Sequence, residues 1–251
     1  MSSSRTNTLI ATDEVKVWFV SPKVFSHSSS FERFHGWLSP NELETYRKFR
    51  FEKDQHTYLI AHALLRAALS RCCAVEPSRW MFHTNAYQKP FVLEPSDSSD
   101  LHFNLSHTDG MVAVAITRAG QVGIDVETLS QDQIGIEIVQ EVLSEDEYHD
   151  YLLQQPPDQH KRLLQYWTLK EAFVKATGLG ITAGLKNHAF DLSGHPHPKI
   201  RFLSTSDFSP SDWRFWQYNL TTGHFLAVAC QQDASREITP SLEEALWLQE
   251  F

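Results

Sequence analysis

Two short stretches carry residue types that could do chemistry together. Residues 121–127, QVGIDVE, alternate strictly: Val122, Ile124 and Val126 fall on one face of a strand, Gly123, Asp125 and Glu127 on the other. Two carboxylates side by side on one strand face repel each other, and a cation between them removes that penalty. In residues 158–180, DQHKRLLQYWTLKEAFVKATGLG, helical spacing puts Trp167, Glu171 and Lys175 on one face at i, i+4 and i+8. Leu169, Phe173 and Ala176 take another face that can enter a core. Gly178 and Gly180 stop the helix. A Glu–Lys pair one turn apart also describes an ordinary surface ion pair, worth about 0.2–0.5 kcal/mol. If Glu171 joins Asp125 and Glu127, however, three hard oxygen donors are available. Such a set suits Mg²⁺, with Mn²⁺ as an alternative, completed by water and phosphate oxygens.

A third stretch, FNLSHTDG at residues 103–110, precedes these two. GIDVE, WTLKEAFVKATGLG and FNLSHTDG in this order resemble the 4'-phosphopantetheinyl transferases of the larger, monomeric Sfp (surfactin-synthetase-activating) type. The resemblance runs from about Leu38 to about Cys230. It implies an α+β fold of two similar α/β lobes related by a pseudo-two-fold axis, with coenzyme A in the cleft between them. It also implies transfer of the 4'-phosphopantetheine arm to a serine of an apo acyl or peptidyl carrier protein, releasing 3',5'-ADP.

By the same resemblance Asp125, Glu127 and Glu171 ligate Mg²⁺ with the coenzyme diphosphate. Relatives vary at the second acidic position, so Glu127 is the less direct ligand. Glu171, or a water it orients, takes the serine proton. Lys175 neutralises charge moving to the leaving group, though a solvated lysine paired with Glu171 would read the same way. Asn104, Ser106 and His107 approach the coenzyme phosphates, His107 at the 3'-phosphate; a structural histidine is the plain alternative. Gln88-Lys89-Pro90 stands where the family commonly has Gly-Lys-Pro. Lys89 and Pro90 are therefore expected to touch the nucleotide, with a different backbone turn at Gln88. Relatives often carry a basic phosphate contact where this chain has Thr45, and Lys48, on the same helix face, is expected to reach that phosphate. Arg66 matches a frequent family arginine and serves either to hold the lobes together or to touch substrate. Trp167 is read as a packing residue.

A coenzyme A or carrier-protein binder without chemistry is the main rival, and such a chain would be expected to lack a carboxylate or Lys175. A different Mg²⁺-dependent phosphoryl transferase would need a P-loop or Gly-rich phosphate loop, which the sequence lacks.

The rest of the 251-residue chain must position these groups. With 41% apolar and 21% charged residues the chain reads as globular and long enough for a substantial core. Its net charge of −9 argues against nucleic acid, and any phosphate site must be locally positive. Two of three cysteines are adjacent, a poor disulfide geometry that fits a reduced, cytoplasmic chain; the resemblance implies a monomer. Met1–Thr12 is polar, with no apolar run long enough for a signal peptide or membrane span. Leu38-Ser39-x-x-Glu42 with Tyr46 recurs as Leu143-Ser144-x-x-Glu147 with Tyr151, displaced by 105 residues (143 − 38). Each copy is a capping box opening a helix that precedes a longer one. Carried on ungapped, the displacement sets Arg66 on Glu171. The expected divisions are a disordered lead-in (1–14), an N-terminal lobe (15–118), a C-terminal lobe (119–232) and a tail (233–251) ending in a short amphipathic helix.

Overall fold

Both capping boxes form. Ser39 Oγ accepts from the Glu42 amide while the Glu42 carboxylate accepts from the Ser39 amide, at 3.3 and 2.7 Å. Ser144 and Glu147 repeat the exchange at 3.4 and 2.8 Å. In the computed structural model, which describes residues 10–25, 28–130, 136–180, 184–194, 197–232 and 237–251, each box starts a short helix followed by a long one. The first pair is α2 (Pro40–Lys48) and α3 (Glu52–Cys72), preceded by α1 (Ser28–His35). The second is α5 (Glu145–Leu153) and α6 (Pro156–Thr177), preceded by α4 (Ile136–Val142). Pro156 opens α6 at a position where its missing N–H is harmless, and Gly178 closes it in the left-handed region at φ 68°.

The strands repeat the same plan. The first half runs β1 (Glu14–Val20), the helices, the hairpin β2 (Met81–Thr84) and β3 (Pro90–Glu94), then β4 (His102–Thr108) and β5 (Met111–Thr117). The second runs β6 (Val122–Thr128), the helices, the hairpin β7 (His188–Asp191) and β8 (Lys199–Phe202), then β9 (Trp213–Leu220) and β10 (His224–Gln231). The sheets form in matching order, β1-β5-β4 and β6-β10-β9, and β11 (Thr239–Glu244) extends the first beside β1. The protein is therefore α+β with two similar lobes, as expected.

Side-chain alternation stacks these parts in four layers. Val122, Ile124 and Val126 pack with Val15, Val17, Ala113 and Ala115 between the two sheets. On the outer face of the first sheet, Leu59 and Leu64 of α3 meet Val114 and Ile116. On the outer face of the second, Leu169 and Phe173 of α6 meet Phe215 and Ala227. Fully burying such a side chain contributes about 1.5–3 kcal/mol.

Three expectations change. Ile10 is buried and β1 starts at Glu14, so the folded body begins before residue 15; residues 1–9 lie outside the described residues. The tail forms β11, parallel to β1 with Val17 opposite Leu242, and then a single 3₁₀ turn at Leu246–Gln249. Strand pairing at the open edge of β1 outweighs the weak helical pattern there; residues 233–236 of the tail are outside the described residues. Finally, the long helices match one residue away from the ungapped register. Buried Arg66 joins Glu42 to the carbonyls of Pro77 and Trp80, and buried Lys170 joins Glu147 to those of Leu185 and His188. Arg66 is thus the counterpart of Lys170, and it ties helices to loop within one lobe rather than lobe to lobe.

Candidate active site

A missing side chain brings the site together. A Cβ on Gly123 would lie 2.0 Å from the Ala172 carbonyl oxygen and 2.4 Å from the Ala176 nitrogen. The backbone of α6 therefore rests directly on β6. Glu171 and Lys175, each one residue before those contacts, are carried to Asp125, two residues along the strand on the same face.

Asp125 is only 3% exposed. Lys175 Nζ donates to its Oδ1 at 2.6 Å and to Ser106 Oγ at 3.0 Å, and Ser106 Oγ donates to the same Oδ1 at 3.1 Å. Asp125 Oδ2 is buried with no hydrogen-bond partner among the described residues. An unpartnered buried carboxylate oxygen is costly, on the order of 1–3 kcal/mol or more, and marks a place where a donor or cation fits.

Strand β4 grips β6 through side chains. Asn104 Oδ1 accepts the Ile124 amide at 2.9 Å, Ser106 takes Asp125, and Thr108 Oγ1 donates to Glu127 at 3.2 Å. The Trp167 indole donates to the other Glu127 oxygen at 3.3 Å. Trp167 is thus more than packing. Sequence reasoning missed Thr108 as well, although the alternation of Asn104, Ser106 and Thr108 on one strand face is its signal.

The electrostatics follow from this crowding. Burial, and then the Asp125 charge, raise the carboxyls of both Glu127 and Glu171; Lys175 partly offsets this for each. A divalent cation among them would relieve the repulsion and take up the open Oδ2, so the donor set fits a hard ion. Among the described residues no three such side chains already stand in a ligating arrangement, and the lysine ammonium holds the Oδ1 side of the aspartate.

The remaining expected residues divide. Lys89, Pro90, Asn104, Glu171 and Lys175 line one cleft of about 280 Å³. Within it Lys89 Nζ donates to Gln121 Oε1, the Val122 carbonyl and the Ala176 carbonyl at 3.0, 3.1 and 2.5 Å, bracing the β2–β3 hairpin against β6 and α6. Burial draws its ammonium down to about 8. Gln88 adopts φ 67°, the left-handed conformation glycine takes freely, while Asn85 Oδ1 accepts the amides of Tyr87 and Lys89. The turn is thus one a glycine would occupy without strain. His107 lies beyond this face and stays exposed, yet surrounding protein and then Lys175 and His62 lower its imidazole below the ordinary range. Lys48 pairs with Glu44 of its own helix at 2.7 Å and is 70% exposed, so it stands apart from the carboxylates. Thr45 donates to the Asn41 carbonyl.

Comparisons with known proteins bear on this arrangement. Residues 121–230 match the family model described as the 4'-phosphopantetheinyl transferase superfamily. Residues 26–119 match the one described as 4'-phosphopantetheinyl transferase, N-terminal. The chain is 31% identical over 217 residues to 4'-phosphopantetheinyl transferase Sfp of Bacillus subtilis, covering 86% of the chain and 92% of the relative. It is 34% identical over 207 residues to 4'-phosphopantetheinyl transferase psf-1 of Bacillus pumilus, covering 82% and 84%. Over 177 residues it is 30% identical to 4'-phosphopantetheinyl transferase HetI of a Nostoc species, covering 70% and 73%.

Proposed function

We infer the reaction from one premise: the chain belongs to the 4'-phosphopantetheinyl transferase superfamily and is a phosphopantetheinyl transferase of the Sfp type. Such enzymes use coenzyme A and modify carrier proteins. The finer reading is Mg²⁺-dependent transfer to a serine hydroxyl of an apo acyl or peptidyl carrier, leaving 3',5'-ADP. The observation that supports it best is the buried Asp125, with Lys175 and Ser106 on one oxygen and, among the described residues, no partner on the other.

In this reading Asp125 and Glu171 would hold the ion, with Glu127 steadied behind them by Thr108 and Trp167. The bound ion supplies charge neutralisation at the diphosphate. Serine Oγ attacks the phosphorus that carries the pantetheine arm, and the phosphoanhydride bond to the adenosine side breaks. Glu171, directly or through one water, accepts the serine proton; its raised carboxyl is a better acceptor than a free one. Lys175 turns from Asp125 to the leaving phosphate, where its charge offsets the one that develops. Ser106, Asn104, Lys89 and Pro90 shape the cleft on the nucleotide side. His107 faces the 3'-phosphate; of the exposed cations near the Thr45 position, Lys48 and Lys53 are paired with Glu44 and Asp109 and would have to exchange those partners to meet a phosphate.

A binder without chemistry is disfavoured because Asp125, Glu127, Glu171 and Lys175 are all present. No helix among the described residues is long and apolar enough to cross a membrane. Incubation with coenzyme A, Mg²⁺ and a panel of apo carriers tests the proposal. A phosphopantetheine mass gain on a carrier serine is expected. Folded protein that binds coenzyme A yet modifies no carrier would overturn it.

A further inference from the structure

The repeat that builds the catalytic cleft builds a counterpart elsewhere on the molecule. Matched element by element through the paired strands, Asp125 falls on Trp18 of β1, Glu127 on Val20, Glu171 on Ala67 of α3 and Lys175 on Arg71. The groups for chemistry are gone there. The tail fills that half: β11 lies along β1, the Trp18 indole donates to Glu243 at 3.0 Å, and the Arg71 guanidinium sits 4.5 Å from the Trp247 ring.

The other half of the counterpart stays open. The catalytic cleft is walled by the starts of β3 and β4, through Lys89, Pro90 and Asn104. The matching starts of β8 and β9 line a cavity of about 730 Å³, larger than the cleft itself. Its floor runs along the edge of β9, where Trp213 and Phe215 come from the α6 side and Trp216 from the side between the sheets; they are 3%, 2% and 7% exposed. Lys199 and His197 stand exposed at the rim with half-buried Arg214, facing Glu237. The Trp213 Nε1–H is buried with no acceptor among the described residues. A volume of a few hundred Å³, an aromatic floor, an unused indole donor and cations at the mouth suit an aromatic anion of nucleotide size.

We propose that this counterpart cleft is a second, non-catalytic site for an adenine nucleotide. The phosphates lie at Lys199, His197 and Arg214, and the base lies on the Trp213–Trp216 floor with the Trp213 indole donating to it. The site holds a nucleotide without turning it over, because Trp18 and Ala67 stand where ion-holding carboxylates would be needed. The choice of nucleotide, though not the cavity, rests on reading the catalytic cleft as the coenzyme A site.

Calorimetric titration of the full chain with 3',5'-ADP should show two sites per molecule. In ¹⁵N spectra the Trp213 indole resonance, assigned through Trp213→Phe, should move saturably with the weaker site. Lys199→Glu, a change on an exposed side chain, should weaken that site about tenfold, the loss of one charge-assisted contact, while carrier modification stays at the wild-type rate. One equivalent per chain with an unmoved Trp213 resonance overturns this inference alone. So does a second site that Lys199→Glu leaves intact. No binding of 3',5'-ADP anywhere overturns both this inference and the coenzyme reading.

Discussion

Lys175 Nζ sits 2.6 Å from Oδ1 of Asp125, fifty residues away in the chain, while Oδ2 of the same carboxylate is buried without a partner among the described residues. One oxygen is neutralised by the protein and the other is left for something else. Asp125→Ala should lower carrier modification by at least about 100-fold, and Lys175→Ala by about 10²–10³-fold, the range for removing one preorganised charge-stabilising group. Circular dichroism should show both variants folded. Near-wild-type turnover by Asp125→Ala would remove the carboxylate from the mechanism.

Gly123 is the contact point between β6 and α6. Gly123→Ala drives a methyl group into the Ala172 carbonyl and the Ala176 amide, so the helix must lift. A destabilisation of about 3 kcal/mol, read from urea midpoints, is expected, together with loss of transfer as Glu171 and Lys175 leave Asp125. Unchanged stability would mean that the two backbones do not meet there.

Gln88 holds φ 67° at a turn that glycine would accept freely. Relief of this conformation is worth about 1–2 kcal/mol, and the greater freedom of glycine in the unfolded chain returns part of it. Gln88→Gly should therefore raise stability by about 0.5–1 kcal/mol in denaturant titration without harming transfer. A loss of stability would refute the strain.

Glu42 links the first capping box to Arg66 and His62. Burial alone would raise its carboxyl; the hydrogen bond from His62, the charges of Arg66 and His62 and the Ser39 amide outweigh that and hold it down at about 2, from an ordinary 4.5. The unfolded chain then takes up the proton first. The stabilisation, about 3 kcal/mol, is complete above about pH 4.5 and is lost as pH falls toward about 2. Denaturant titrations across this window should show the slope, and Glu42→Gln should flatten it.

His107 is lowered by its surroundings and by nearby cations, so it is neutral near pH 7. An arriving phosphate favours the charged ring, and coenzyme A binding should draw in up to one proton. Calorimetry in buffers of different ionisation heat should reveal the uptake, and His107→Asn should abolish it. Equal heats in all buffers for the unaltered protein would place the 3'-phosphate elsewhere.

Much of this was legible in the chain because it is decided within a few residues. The boxes at Ser39 and Ser144 close over three residues, Gly178 caps the helix it follows, and alternation along residues 121–127 puts Asp125 and Glu127 opposite the valines. The spacing of Trp167, Glu171 and Lys175 likewise sets their common face without reference to anything else.

Only the tertiary structure decided what those faces meet. Arg66 answers to Lys170 rather than to Glu171 because the connection between α2 and α3 is one residue longer than that between α5 and α6, a difference an ungapped repeat hides. Lys89, expected at the nucleotide, spends its three protons bracing the hairpin to β6 and α6, since burial requires each of them to find an acceptor. The tail becomes a strand because β1 offers it an open edge. Hydrogen bonds that cross from β4 to β6, or from α6 to Asp125, depend on how layers stack, and no local periodicity carries that information.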